Sequence, residues 1–217
     1  MQRRILRSGS ATLWDMKRKR LTREQSKDQT RERLIDSART MFIKKGYVAT
    51  SVEDIASVAG YTRGAFYSNF DGKAELLIEL LRRDHDRMDA DFQAIMQDGG
   101  TKAEIETRVT TYYSQMIRDD RCFPLWVEAK LLAGRDAKFR TRFNAFRNEK
   151  LEQIAAYIRA FSEQVGSELP LPAETLALGL VSLCDGLQFF RMCDPQQFTD
   201  EITESVLAGF FQRVLVG

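Results

Sequence analysis

Residues 50–70 read TSVEDIASVAGYTRGAFYSNF, and this stretch decides the fold. Ser51 is followed three residues later by Asp54, a capping-box pattern that predicts the start of a helix. Gly60 can adopt the left-handed backbone that ends a helix, and Thr62 can cap the next one. Two short helices joined by a three-residue turn containing glycine are typical of the helix-turn-helix unit.

The two predicted helices, about 52–59 and 63–70, each have one apolar and one polar face. Ile55 and Ala56 face inward on the first, and Phe66 and Phe70, four residues apart, pack back from the second. The second helix then presents hydrogen-bonding side chains suited to base edges or phosphates: Thr62, Arg63, Tyr67, Ser68 and Asn69. A plain helical hairpin with a solvated face is the alternative interpretation of this pattern.

The rest of the chain also has helical periodicity, and no segment alternates as a strand would. Glycines and prolines separate the predicted helices, which cover about 27–45, 52–59, 63–70, 73–98, 102–119, 124–133, 136–165, 173–192 and 199–215. We predict an all-α fold with three parts: a disordered basic arm at 1–25, a three-helix DNA-binding domain at 26–72 and a six-helix domain at 73–217.

Charge is distributed unevenly along the chain, although the net charge is only +2. Residues 1–70 carry 15 Lys and Arg against 7 Asp and Glu, whereas residues 71–217 carry 18 against 24. A basic head on a mildly acidic body indicates a polyanionic partner for the head. The basic arm could contact phosphates or a minor groove, or be a solvated tail; the sequence leaves both open.

Cysteine content and hydropathy indicate a cytoplasmic protein that does not span a membrane. Three cysteines, at 122, 184 and 193, are an odd number, and no apolar leader follows Arg3 and Arg4. Buried packing thiols are favoured over a redox role. The longest strongly apolar stretch, Leu176 to Cys184, is too short to span a bilayer.

An enzyme is the competing class of protein, and the residues give it little support. The chain has one histidine, no metal-ligand spacing, no phosphate-binding glycine loop and no nucleophile motif. We therefore expect no catalytic residues, no metal and no cofactor. The single histidine, His85, lies in a charged stretch and is expected to be exposed to solvent.

Residues 30–77 resemble the N-terminal signature of the TetR family of bacterial repressors. The matching strings are TSVEDIA at 50–56, AGYTRGAFYSNF at 59–70 and KAELL at 73–77, with ARTMF at 38–42 and KGY at 45–47 upstream. Two positions depart from the family pattern: Asn69 stands where histidine is usual, and Tyr61 where a smaller residue is usual.

The resemblance implies a set of DNA contacts. Thr50 and Ser51 would lie near phosphates, while Thr62, Arg63 and Gly64 would open the recognition helix in the major groove. Arg63 is the candidate for a bidentate guanine contact. The remaining implied contacts are to the backbone, with Tyr67 and Lys73 on phosphates and Ser68 and Asn69 beside them.

The resemblance also implies a homodimer and a ligand cavity. The last two helices would pair with their copies through Gly179, Ser182, Gly186, Ile202, Val206 and Phe210. A small apolar or aromatic ligand would bind among Phe92, Met96, Tyr112, Met116, Trp126 and Phe143. The implied function is a repressor that an inducer releases from a palindromic DNA operator; a non-specific DNA-organising protein is the alternative.

Overall fold

The computed structural model describes residues 22–119, 121–166 and 168–212, with the side chain of residue 165 left aside. Within these residues the chain forms nine α-helices and no strand, which confirms the predicted all-α fold. The helices are α1 Arg23–Lys45, α2 Val52–Ala59, α3 Arg63–Tyr67, α4 Lys73–Gln97, α5 Lys102–Asp119, α6 Phe123–Arg135, α7 Ala137–Val165, α8 Ala173–Cys193 and α9 Asp200–Phe210.

Helix boundaries differ from the prediction mainly at the two ends of the chain. The first helix begins at Arg23 instead of about 27, because Thr22 and Gln25 form a reciprocal capping box with bonds of 3.1 and 3.0 Å. Residues 23–25 are therefore helix and not arm, and residues 1–21 of the predicted arm lie outside the described residues. At the other end α9 is described from Asp200 to Phe210, and residues 213–217 lie outside the description.

One hydrophobic core joins the head to the body. Buried residues of α1, α2 and α3, including Phe42, Ile55 and Phe66, form one cluster with α4, α6 and the first half of α7. Leu125 of α6 and Phe146 of α7 belong to this cluster and are fully buried. The predicted boundary between residues 72 and 73 falls between α3 and α4, but the core is continuous across it.

A second core lies in the other half of the body. It is built from α5, the second half of α7, α8 and α9, with Ile105, Ala155, Leu176 and Leu207 at its centre. Because α7 contributes to both cores and is 29 residues long, it is the element that holds the two halves together.

α8 differs from its prediction in burial and in the extent of its apolar stretch. A helix that is apolar nearly all round is expected to be buried on every side, but Leu178, Phe189, Phe190 and Met192 are exposed. Among the described helices, only α8 is long and apolar enough to cross a membrane by length and composition, so the predicted limit of Leu176 to Cys184 was too narrow. Core helices of water-soluble proteins pass the same test, and the other face of α8 lies in the second core.

Candidate nucleic-acid interface and ligand cavity

Local hydrogen bonds set the geometry of α2 and α3. Ser51 and Asp54 cap α2 reciprocally, with both bonds at 3.0 Å. Gly60 ends α2 in the left-handed conformation at φ 76°. The Thr62 hydroxyl then accepts the Ala65 N–H at 3.2 Å to begin α3. These contacts fix the turn between α2 and α3 and so form the predicted helix-turn-helix unit.

The outward face of α3 carries a continuous polar surface. Thr62, Gly64, Tyr67 and Ser68 are exposed there, and the Arg63 side chain is 65% exposed. These five residues lie together at the head, as the sequence predicted, and their DNA contacts remain predictions.

Arg63 is oriented by its neighbours. Its guanidinium lies 5.5 Å from the centre of the Tyr67 ring and 3.0 Å from a Glu53 carboxylate oxygen. The hydrogen bond with Tyr67, followed by the charge of Glu53, raises the pKa of Arg63. Since an exposed ion pair is worth little, a base or phosphate can replace Glu53 at small cost.

Two predicted contact residues, Thr50 and Asn69, are turned inward, and their DNA contacts remain predictions. Thr50 is 1% exposed, and its hydroxyl lies 2.8 Å from the Gly46 carbonyl oxygen and 3.3 Å from that of Met41. Asn69 is half-buried, and its amide nitrogen donates to the Ala65 carbonyl at 2.8 Å. Both side chains satisfy backbone groups instead of facing a ligand.

Lys73 was predicted to clamp a phosphate, and the structure gives its ammonium group a different role. Its Nζ donates to the carbonyl oxygens of Tyr47 at 2.7 Å and Thr50 at 2.5 Å, and it lies 4.5 Å from the centre of the Tyr47 ring. Burial lowers the pKa of Lys73, while the charge of Glu128 opposes that shift. The ammonium hydrogens are thus used to hold the loop of residues 46–50, which leads into α2.

Sequence reasoning missed Glu128, which holds the same loop from α6. Its Oε2 accepts the Tyr47 N–H at 2.5 Å. A Cβ placed on Gly46, whose φ is +81°, would lie 2.8 Å from Glu128 Oε1. The backbone of Tyr47 is therefore held at its N–H by Glu128 of α6 and at its C=O by Lys73 of α4. No local signal could have shown this contact, because 81 residues separate its partners.

A charged network joins α1 to α4 on another side of the head. The Arg83 guanidinium makes two bonds to Glu32, of 2.6 and 2.7 Å, and a third to Glu79 at 3.1 Å. The hydrogen bond from Arg83 lowers the pKa of the Glu32 carboxyl. Arg31 donates to the Asn69 carbonyl at 2.8 Å, so the network reaches the end of α3.

A cavity of about 170 Å³ lies among α4, α5, α6, α7 and α8. Five of the six predicted ligand residues line it: Phe92, Tyr112, Met116, Trp126 and Phe143. The sixth, Met96, lines a neighbouring cavity of about 50 Å³ together with Phe92, and its contact with a ligand stays a prediction. Trp126 and Phe143 also pack in the core that contains the head.

His85 lines the larger cavity, which corrects the expectation that it is exposed to solvent. The ring is half-buried, and its Nε2 lies 3.1 Å from the amide oxygen of Gln153. Burial, followed by the charge of Lys150, holds the pKa of His85 below its ordinary value. The imidazole is therefore neutral near pH 7.

The cysteines have different exposures. Cys122 and Cys184 are buried and Cys193 is exposed. Burial raises the pKa of the Cys184 thiol, which favours its protonated, unreactive form. Among the described residues no group of three or more His, Cys, Asp and Glu side chains could hold a metal ion.

An exposed polar face on a capped helix-turn-helix unit, joined to a helical body with a cavity, is the arrangement typical of DNA-binding proteins of the helix-turn-helix class. Residues 34–80 match the family described as bacterial regulatory proteins, tetR family. Over residues 34–80 the chain is therefore similar to this family in sequence.

Curated relatives are similar to the head of this chain in sequence. The transcriptional repressor KstR2 of Rhodococcus jostii is 38% identical over 88 residues, which cover 40% of this chain and 43% of that protein. The chain therefore matches less than half the length of this curated relative.

Solved structures extend the likeness to most of the body. A transcriptional regulator from Rhodococcus sp. Rha1 has a TM-score of 0.67 at 23% identity, covering 86% of this chain and 98% of that one. FadR of Bacillus subtilis, solved with stearoyl-CoA, has a TM-score of 0.66 at 16% identity, covering 82% and 96%. At these identities the likeness concerns the fold alone.

Proposed function

We propose that this chain is a homodimeric transcriptional repressor that binds a palindromic DNA operator in the cytoplasm and is released by a small molecule. The observation that carries the proposal is the exposed polar face of α3, with Arg63 extended from it on a rigidly capped unit. The match of residues 34–80 to a family of regulatory proteins supports a binding role rather than a catalytic one.

The exposed face of α8 and α9 supports a homodimer. It carries large apolar side chains that water would otherwise surround: Leu178, Phe189, Phe190, Met192, Ile202 and Val206. A Cβ on Gly179 or Gly186 would meet no atom within 4 Å, so a second helix has room to approach there. Ser182 is exposed on the same helix, and Phe210 is half-buried on α9. Two symmetric heads require a palindromic site.

The position of the cavity supports control by a ligand. α4 has 25 residues, so it extends over about 37 Å. It begins at Lys73, which holds the loop before α2, and reaches Phe92 in the cavity wall. In some conformations of the body the two heads would be wrongly spaced for DNA. A ligand that binds such a conformation more tightly than the DNA-binding one would lower DNA affinity, by the factor that separates its two affinities.

Selection of bound duplexes from a random-sequence pool tests the proposal. We expect enrichment of a palindrome whose half-sites are about one helical turn, or a multiple of one, apart. Arg63→Ala should lose about 1–3 kcal/mol of discrimination at one base step. Arg142→Ala, which removes an exposed arginine of α7, is the matched control and should keep it.

Two results would contradict the proposal. A pool that remains random after selection, with equal affinity for every duplex, would favour the non-specific DNA-organising alternative. Equal loss of discrimination in both variants would mean that Arg63 has no special role in recognition.

A further inference from the structure

We infer that the body cavity binds an elongated, mainly apolar molecule with one anionic group, which lies beside Arg147 and Lys150 on the wall formed by α7. This inference rests on the proposed function in one respect, namely that the cavity is a ligand site. It adds the chemical class of the ligand.

The shape of the space indicates an elongated ligand. The two cavities share Phe92, Tyr113, Ile154, Tyr157 and Leu180, so they are neighbours separated by side chains alone. Their α7 wall extends from Phe143 to Phe161, a distance of about 27 Å at 1.5 Å per residue. Both compartments are lined mostly by aliphatic and aromatic side chains, which favour an apolar body.

Carboxylates of the larger cavity are already occupied by partners. Asp185 pairs with Lys130 at 2.6 Å. Asp89 accepts the Tyr157 hydroxyl at 2.8 Å on one oxygen and the Gln93 amide at 2.9 Å on the other. A cationic ligand would therefore have to displace an existing contact to reach a carboxylate in this wall.

Two cations of the same wall are less well compensated. The Lys150 side chain is 8% exposed, and its ammonium lies 3.2 Å from Asp86 and 3.3 Å from Gln153. The Asp86 side chain is 60% exposed, so solvent weakens its compensation of the buried charge. Arg147, three residues from Lys150, is exposed to solvent where it lines the cavity, and it has no hydrogen bond or ion pair with any residue that the structure describes.

The spacing of these two cations suits a single anion. Residues three apart lie on the same face of a helix, which brings the guanidinium and the ammonium to one side of α7. A guanidinium offers two parallel N–H donors that match a carboxylate, and charged hydrogen bonds are about twice as strong as neutral ones. The buried ammonium adds a second positive charge on the same side of the cavity.

Fluorescence of Trp126 provides a direct assay that needs no DNA. The chain has two tryptophans, so Trp14→Phe leaves Trp126, which lines the cavity, as the single reporter. Three probes share one apolar chain and differ only in charge: decanoate, decanamide and decyltrimethylammonium. Each is titrated below its micellar concentration into the full-length protein.

We expect decanoate to bind about tenfold more tightly than decanamide, and the ammonium probe to bind most weakly. Arg147→Gln should lower decanoate affinity to that of decanamide and leave decanamide affinity unchanged. Arg142→Gln is the matched control, because it removes an exposed charge from the same helix outside the cavity lining and should leave the tenfold preference intact.

Equal affinity for decanoate and decanamide, preference for the ammonium probe, or absence of binding by all three would overturn the inference. So would an equal loss of decanoate binding in both variants, since that would indicate long-range electrostatics and not a site at Arg147. None of these outcomes bears on the DNA selection, whose failure alone would remove the repressor function.

Discussion

Replacing Glu128 with alanine tests whether the body fixes the start of the DNA-binding helices. The carboxylate accepts the part-buried Tyr47 N–H at 2.5 Å, so Glu128→Ala leaves that donor without its partner. A hydrogen bond to a charged group contributes about 1.5–3 kcal/mol, and an unsatisfied part-buried donor costs a similar amount. For a chain of this size each kcal/mol corresponds to about 2–4 °C, so we expect the melting temperature to fall by about 3–12 °C.

Thermal unfolding followed by circular dichroism gives the stability, and amide hydrogen exchange of Tyr47 gives the local effect. Exchange at Tyr47 should accelerate in Glu128→Ala more than at amides in the middle of α7. Glu128→Gln retains an acceptor oxygen and should cost about half as much, because only the charge is lost.

Glu149→Ala is the control for the loss of a carboxylate. Glu149 is half-exposed and pairs with Arg82 at 3.0 Å, so its removal should change stability by less than about 1 kcal/mol. The reasoning is refuted if Glu128→Ala is no more destabilising than Glu149→Ala, or if the Tyr47 amide exchanges at the wild-type rate.

Three other perturbations have defined outcomes. Gly186→Leu should convert a dimer of about twice 25.0 kDa to monomer in light scattering. Gly134→Leu, where the new Cβ also meets no atom within 4 Å, should leave the dimer intact, and a wild-type monomer would contradict the proposed interface. Deletion of residues 1–21, which retains the Thr22 cap, should weaken DNA binding at low salt and reduce its salt dependence; unchanged titrations would make the arm inert. The pKa of His85 is lower in the folded chain than its ordinary 6.5, so the unfolded chain binds the proton first and stability should decrease as pH falls below about 6.5. His85→Gln should flatten this dependence of stability on pH, and an unchanged dependence would contradict the lowered pKa of His85.

The elements that the sequence predicted well are those specified by neighbours in the chain. The bounds of α2 were predicted without error, since Ser51 and Asp54 cap it and Gly60 ends it within one short segment. Exposure of Arg63 and Tyr67 followed from helical spacing in the same way.

The side-chain environments that the sequence did not predict depend on contacts between distant segments. Lys73 looked like a phosphate ligand, but carbonyls of the folded loop at Tyr47 and Thr50 use its ammonium group. Met96 has the right chemistry for a ligand site, yet packing places it in the second compartment. The role of Glu128 could not be predicted from the sequence, because it depends on α6 lying beside the loop between α1 and α2.

The core shared by the head and the body limits how this regulator could be rebuilt by domain exchange. Apolar side chains of α6 and α7 fill space beneath α1, and Leu125 and Phe146 would be exposed to water in a body without its head. A chimera in which another protein's DNA-binding domain replaces the residues before position 73 would therefore need matching changes in α6 and α7. The DNA-binding head cannot be exchanged independently of the body. We therefore expect the proposed operator preference and ligand preference to have evolved together.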